Sequence, residues 1–390
     1  MGMGVCTKTN GFKAVSLGVV LFVLLNVLFN YFSGDADDTF SFSKLSIKRV
    51  TLSSSHILYN RSEESFVQHN GNGYEEKTNP PEFNITESND IPAPRVLTNS
   101  KTWAKISVES RTNNNSNNSL PICKDPKPNS GGPIKPNISL ESLDFVQQRL
   151  SSTVMMGGWY RPTNCIAKFR VAIIVPFRDR YAHLSIFLKN IHPFLMKQNI
   201  EYRIFVIEQT NGKLFNRAAL MNIGYLEALK ILAWDCFVFH DVDLLPLDER
   251  NLYTCPNQPR HMSVAIDVFG YKLPYSSIFG GVSGMTREHF SKVNGFSNSF
   301  WGWGGEDDDM SNRLKHANLF ISRYPVNIAR YMMLTHQKER ANPKRYENLV
   351  NGVNKFDMDG LNSIKYDIYS FKEYPLFTWY LSELKMSDQR

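Results

Sequence analysis

The segment Trp301-Gly302-Trp303-Gly304-Gly305-Glu306-Asp307-Asp308-Asp309 sets four consecutive acids behind two tryptophans and three glycines. Adjacent carboxylates repel one another until a cation, a proton or a polar ligand takes up the charge, and a Trp ring offers a flat face that stacks on a sugar. Such a string makes poor core and poor linker, so it is read as a binding site, and the flanking Trp faces suit a sugar. Well upstream, an apolar run ends in Asp241-Val242-Asp243, two acids suited to a divalent cation. Pro176-Phe177-Arg178-Asp179-Arg180 adds two arginines suited to a diphosphate.

Regular elements must hold these groups. Phe169 to Val175, Tyr202 to Ile207 and Cys236 to Phe239 are short apolar, β-branched or aromatic runs and are predicted strands, the first closed by Pro176. His183 to Lys197 and Arg217 to Leu232 carry apolar residues at helical spacing. The β-α-β-α-β order predicts an α/β fold with a mostly parallel central sheet, whose ligands bind beyond the carboxyl ends of the strands. The arginine loop and the Asp241-Val242-Asp243 loop both fall at such ends.

The first third of the chain differs in kind. Ala14 to Phe32 is apolar apart from Ser16, Asn26, Asn30 and Tyr31, long enough to cross a membrane, and follows Lys8 and Lys13. A cytosolic tail (1–13), a retained signal anchor (14–32), an extended luminal stem (33–139) and a folded domain (140–390) are expected. The stem is rich in Ser, Asn, Thr, Glu and Pro with little apolar periodicity, which predicts disorder. Its N-x-Ser/Thr sequons, at Asn60, Asn84, Asn114, Asn117 and Asn137, suit N-glycosylation in a lumen. Cys6 falls on the cytosolic side, leaving Cys123, Cys165, Cys236 and Cys255 as an even set with three possible pairings. The net charge of +7 is spread along the chain and marks no nucleic-acid surface.

Taken together, Pro176 to Arg180, Phe215-Asn216-Arg217-Ala218, Phe237 to Phe239 with Asp241 to Asp243, Phe279 to Ser283, Trp301 to Asp309 and Met333-Leu334-Thr335-His336 resemble the β-1,4-galactosyltransferase family, in family order. The resemblance implies a GT-A type nucleotide-sugar-binding fold, a Golgi type II membrane protein, a UDP-sugar donor, a GlcNAc-terminated glycoprotein or glycolipid acceptor, and Mn²⁺. A homodimer is compatible with it. It assigns Asp243, Met333 and His336 to the metal, although a soft thioether is not what chemistry alone would choose for hard Mn²⁺.

For the donor it implies Pro176, Phe177, Arg178, Arg180, Phe215, Arg217, Val242, Asp243, Ile278 and Trp303. For the acceptor it implies Tyr275, Trp303, Gly304, Asp307, Asp308, Arg345, Tyr346 and Leu349. Asp307 would be the general base, with Glu306 and Asp308 beside it, and the cystines would be Cys123–Cys165 and Cys236–Cys255. Two positions depart from the family pattern. Val268 stands where Lys is common, and Ile278 stands where galactose-transferring members have Tyr. Ile278 makes transfer of N-acetylgalactosamine the expectation, with a galactosyltransferase as the alternative and a non-catalytic sugar-binding protein as the alternative of another class.

Overall fold

A computed structural model describes residues 120–124, 131–337 and 339–385. The expected tail, anchor and most of the stem, including Asn60, Asn84, Asn114 and Asn117, lie outside them. No helix among the described residues is long and apolar enough to cross a membrane.

The centre of the domain is three parallel strands. β2 (Arg170–Phe177) lies between β3 (Glu201–Gln209) and β4 (Cys236–His240), with Val175 opposite Val206 and Ala172 opposite Phe237. Both faces of β2 are buried, so its side chains divide by parity. Val171, Ile173 and Val175 pack on the face covered by α2 (Tyr181–Met196), and Ala172 and Ile174 on the face covered by α3 (Arg217–Ile231). Helix α1 (Leu143–Leu150) and the short strand β1 (Trp159–Tyr160) precede these elements, and β1 pairs with β3. The two crossover helices lie on opposite faces, and the strand order reverses at β2. The ends of β2 and β4 therefore flank the kind of crevice that binds ligands in open α/β sheets.

The expectation of a mostly parallel sheet needs correction. After β5 (Leu244–Pro246), β6 (Arg260–His261) and β7 (Ala265–Ile266), strand β8 (Val282–Thr286) returns antiparallel to β4, and β6 pairs antiparallel to β8. At the other edge β11 (Phe377–Leu384) runs parallel to β3 and carries β10 (Tyr366–Tyr374) antiparallel beside it. The sheet is mixed, parallel only between β11 and β4. A second, three-stranded sheet joins β5, β9 (Arg330–Met333) and β7.

Pro176 does not close β2, which continues to Phe177. Past Ile174 the strand pairs with β3 alone, so a residue without an N–H breaks no ladder on the β4 side. Helix α4 (Arg287–Lys292) follows β8, α5 (Glu306–His316) follows the Trp-Gly string, and α6 (Arg345–Gly352) follows β9.

Both expected cystines form, Cys123–Cys165 and Cys236–Cys255. Folded structure begins before residue 140. Ile134 N donates to Leu247 O at 2.9 Å, and Lys189 of α2 bonds Ser139 and Glu141. Asn137, the one sequon among the described residues, is exposed, with its Oδ1 accepting from Ser139 Oγ at 2.7 Å.

Candidate active site

Helix α5 starts where Gly305 adopts φ +95°, a left-handed conformation that suits glycine. The turn throws Glu306, Asp307 and Asp308 into the first turn of the helix, where the unpaired N–H groups favour negative charge. Gly280 lies against them. A Cβ there would sit 2.6 Å from Asp307 Oδ2, so only glycine lets the chain pass so close to that carboxylate. Tyr275 Oη donates to Asp308 Oδ1 at 3.0 Å.

Burial outweighs the helix end in setting proton affinity. Desolvation first, then repulsion from Glu306 and Asp308, pushes Asp307 up to about 7. Desolvation likewise raises Glu306 and Asp308 above the ordinary carboxylate range, and desolvation with the nearby acids raises Tyr275.

At the end of β4, Asp243 is only 9% exposed and its Oδ2 lies 2.9 Å from His336 Nε2. Arg180 closes the cluster, with Nη1 3.7 Å from Asp243 Oδ2 and Nη2 3.2 Å from His336 Nδ1. Desolvation and then Asp241 push Asp243 up to about 6, with His336 and Arg180 pulling the other way. Met333 is placed by pairing: it stands opposite Leu244, and Leu334 N donates to Asp243 O at 2.8 Å.

A carboxylate and an imidazole converging on one point, with a thioether on the adjacent strand, form a donor set that a divalent cation fits once ligand oxygens complete it. Arg180 Nη1 is buried without a hydrogen-bond partner, a cationic donor left over for an anion. Among the described residues no group of three His, Cys, Asp or Glu gathers, so the set here rests on one carboxylate, one imidazole and a thioether.

One residue links the two clusters. Arg217, at the first position of α3, donates from Nε to Asp241 Oδ1 at 2.6 Å and from Nη2 to Gly281 O at 3.1 Å, and its Nη1 lies 3.4 Å from Glu306 Oε1. Asp241 is thereby engaged by an arginine. Asn216 caps α3 by accepting from Ala219 N at 2.9 Å, which fixes where Arg217 emerges.

Arg178 lies 5.1 Å over the Phe215 ring and donates to Lys213 O. Phe177 and Val242 are core residues, so a ligand can reach only their backbone. Trp303 is 59% exposed beneath the Arg345 guanidinium, 5.3 Å from the ring centroid, and Arg345 Nη2 donates to Tyr346 Oη at 3.0 Å. Gly304 faces Arg345, and Leu349 is half-buried on the same helix. Ile278 is half-buried, in neither core cluster, two residues before Gly280. Val268 is exposed in a single 3₁₀ turn.

Sequence reasoning missed two supports. Arg323 Nη2 donates to Ser276 O and Ile278 O, holding the loop that carries Ile278. Glu208, buried at the end of β3, accepts from Tyr181 Oη at 3.0 Å and from Trp379 Nε1 at 2.7 Å, beneath the arginine loop. A glutamate directly after the apolar run of β3 was the available signal for the second. Nothing marked Arg323.

A mixed α/β sheet with an arginine loop, an aspartate–histidine pair and a helix-borne acid cluster beside exposed Trp defines a glycosyltransferase. Two family profiles match: the N-terminal region of glycosyl transferase group 7 over residues 123–256, and the N-terminal domain of galactosyltransferase over residues 260–337. Mouse β-1,4-galactosyltransferase 1 is 44% identical over 265 residues, 67% of this chain and 66% of its own length. Mouse β-1,4-galactosyltransferase 2 is 43% identical over 263 residues, 66% of this chain and 71% of its own. The chain belongs to the β-1,4-galactosyltransferase family, and the match spans about two thirds of these relatives' length. A solved complex of a mutant Drosophila β-1,4-galactosyltransferase 7 with manganese, UDP-Gal and xylobiose is 30% identical, covering 56% of this chain and 95% of that one with a TM-score of 0.47.

Proposed function

We propose that the chain is an inverting glycosyltransferase that moves a hexose from a UDP donor to the 4-hydroxyl of a terminal GlcNAc. The observation that carries the reading is the Arg217 link between Asp241, two residues from the Asp243–His336 pair, and Glu306 of the acid cluster. It sets a cationic phosphate pocket beside a proton acceptor. Arg178 and Arg180 hold the diphosphate, with Phe215, Arg217 and the backbone of Pro176, Phe177 and Val242 around the nucleotide. Trp303 and Tyr275 wall the sugars, and Arg345, Tyr346, Gly304 and Leu349 receive the acceptor.

Asp307 takes the proton from the acceptor O4 as that oxygen bonds to the donor C1, while the C1–phosphate bond breaks and UDP leaves. One displacement inverts C1. Glu306 and Asp308 orient hydroxyls. Asp243, His336 and Met333 would hold Mn²⁺, which supplies Lewis-acid stabilisation of the diphosphate when bound. The solved Drosophila β-1,4-galactosyltransferase 7 mutant complex contains manganese with UDP-Gal.

For the donor sugar, the relatives' names put galactose first, ahead of the N-acetylgalactosamine expected from sequence. Ile278 is the specific observation that favours the second reading. It is shorter than Tyr, lacks a hydroxyl and stands outside the core, so it would obstruct an acetamido methyl less than Tyr does. Membrane anchoring through residues 14–32 and a Golgi lumen location belong to the same proposal.

The test offers UDP-galactose and UDP-N-acetylgalactosamine in parallel, with GlcNAc and Mn²⁺. Turnover of either supports the transferase, and the kcat/KM ratio assigns the sugar. Glycan binding without turnover of either donor would leave only the non-catalytic reading.

A further inference from the structure

Four acids open α5, and the proposed reaction uses three. Asp309 turns inward instead. It is fully buried, and its Oδ2 accepts from the equally buried Arg313 Nε at 2.6 Å, one helical turn on. A desolvated ion pair is a weak source of net stability, because desolvation offsets most of the Coulomb gain. What else the pair touches is therefore informative.

Much of it belongs to the turn that ends α6. Arg313 Nη1 is shared among the carbonyls of Val293, Gly295 and Phe356, and the guanidinium stacks 4.9 Å over the Phe356 ring. Arg313 Nη2 has no hydrogen-bond partner and lies 4.0 Å from Asp359 Oδ2. Asp309 Oδ1, also without a partner, faces Gly352, the last residue of α6, where a Cβ would sit 2.6 Å away. Asp359 in turn accepts from Ser297 Oγ, Asn298 N and Ser299 Oγ, and Asn348 of α6 donates to Ser299 O at 3.0 Å. That loop leads directly into Trp301.

We propose that Asp309 and Arg313 are positioning residues for the acceptor. They pin the C-terminal end of α6 to the helix that carries Asp307, and so hold Arg345, Tyr346 and Leu349 in register with the base. The inference rests on the acceptor reading of α6 given above. A pair that served the core alone would affect donor and acceptor kinetics equally.

The test uses the full chain with three single variants: Gly352→Ala, Asp309→Asn and Arg345→Ala. Each is followed by thermal melting, by KM for GlcNAc, by KM for the UDP-sugar, and by UDP release in the absence of acceptor. Alanine suits a helix better than glycine, which offsets part of the cost of the contact, so Gly352→Ala should stay folded and melt within a few degrees of wild type. Its Cβ must still push α6 away from Asp309. The acceptor KM should rise between about 10- and 100-fold, the scale of an ångström-sized misplacement, while donor KM and acceptor-independent UDP release stay unchanged. Asp309→Asn, where it folds, should show the same split.

An unchanged acceptor KM in Gly352→Ala overturns the inference, and so does a proportional loss of both substrates' kinetics. Arg345→Ala separates the two layers. If it leaves acceptor KM unaltered, the acceptor reading of α6 fails and takes the inference with it; if it raises acceptor KM while Gly352→Ala does not, the inference alone fails.

Discussion

A general base must be ionised to act, and Asp307 is held protonated to unusually high pH by burial and by its two acidic neighbours. With its pKa pushed up to about 7, the ionised fraction is about 9% at pH 6 and about 91% at pH 8, so kcat/KM for the donor should climb about tenfold between them. The profile is to be recorded at saturating Mn²⁺, which keeps the separate rise of Asp243 to about 6 from entering as lost metal. Asp307→Asn keeps the shape and removes the acceptor of the proton. Its rate should fall by about 10² or more, and the limb near pH 7 should vanish from what remains.

Stability supplies a second check of opposite sign. Between about pH 4 and 7 the unfolded chain has released a proton that folded Asp307 still holds. Stability of the metal-free protein should therefore fall as pH climbs through that window and level off above it, and Asp307→Asn should flatten part of the slope. A rate profile flat from pH 6 to 8, or a limb that persists in Asp307→Asn, would refute the assignment of the base.

Asp243→Asn and His336→Ala should each abolish Mn²⁺ binding in a calorimetric titration while the melting temperature holds, because both side chains stand at a ligand-facing site; undiminished affinity in either would remove them from the metal set. Ile278→Tyr should shift the ratio of kcat/KM for UDP-N-acetylgalactosamine over UDP-galactose toward galactose by roughly 10- to 200-fold with acceptor KM unchanged, and a fixed ratio with lower total activity would make Ile278 a packing residue. Replacing both Cys236 and Cys255 by Ser opens a loop of 19-residue separation and should cost about 3 kcal/mol, read as a lower denaturation midpoint.

The central β-α-β-α-β run was legible because buried parallel strands are continuous apolar runs, and both site loops then follow from where such strands end. The antiparallel half was not. Strand β8 reads Val282-Ser283-Gly284-Met285-Thr286, with too few β-branched apolar residues to announce a strand, and β6 and β7 have only two residues each. The roles proposed for His336, Met333 and Arg345 came from resemblance, since a lone histidine or arginine carries little local signal. What a single sequence hides most is pairing at a distance. The resemblance placed Arg217 at the donor but not its pairing with Asp241 and Glu306, and Asp309 reads as one more acid of the site until Arg313 is found holding it inside.

The hydrogen bond from Trp379 to Glu208 joins the foundation of the arginine loop to a strand made some 170 residues later, and β11 also covers an edge of β3. Chain growth and pocket formation are thus out of step. While the ribosome is still short of residue 379, Glu208 has Tyr181 but not its indole partner, and β3 exposes a row of unpaired backbone groups to any neighbouring nascent chain. A product released early would carry the acids, the arginines and the aspartate–histidine pair, yet lack the strand that braces the arginine loop. Quality control that senses exposed strand edges would therefore distinguish a finished chain from an unfinished one beside the arginine loop itself.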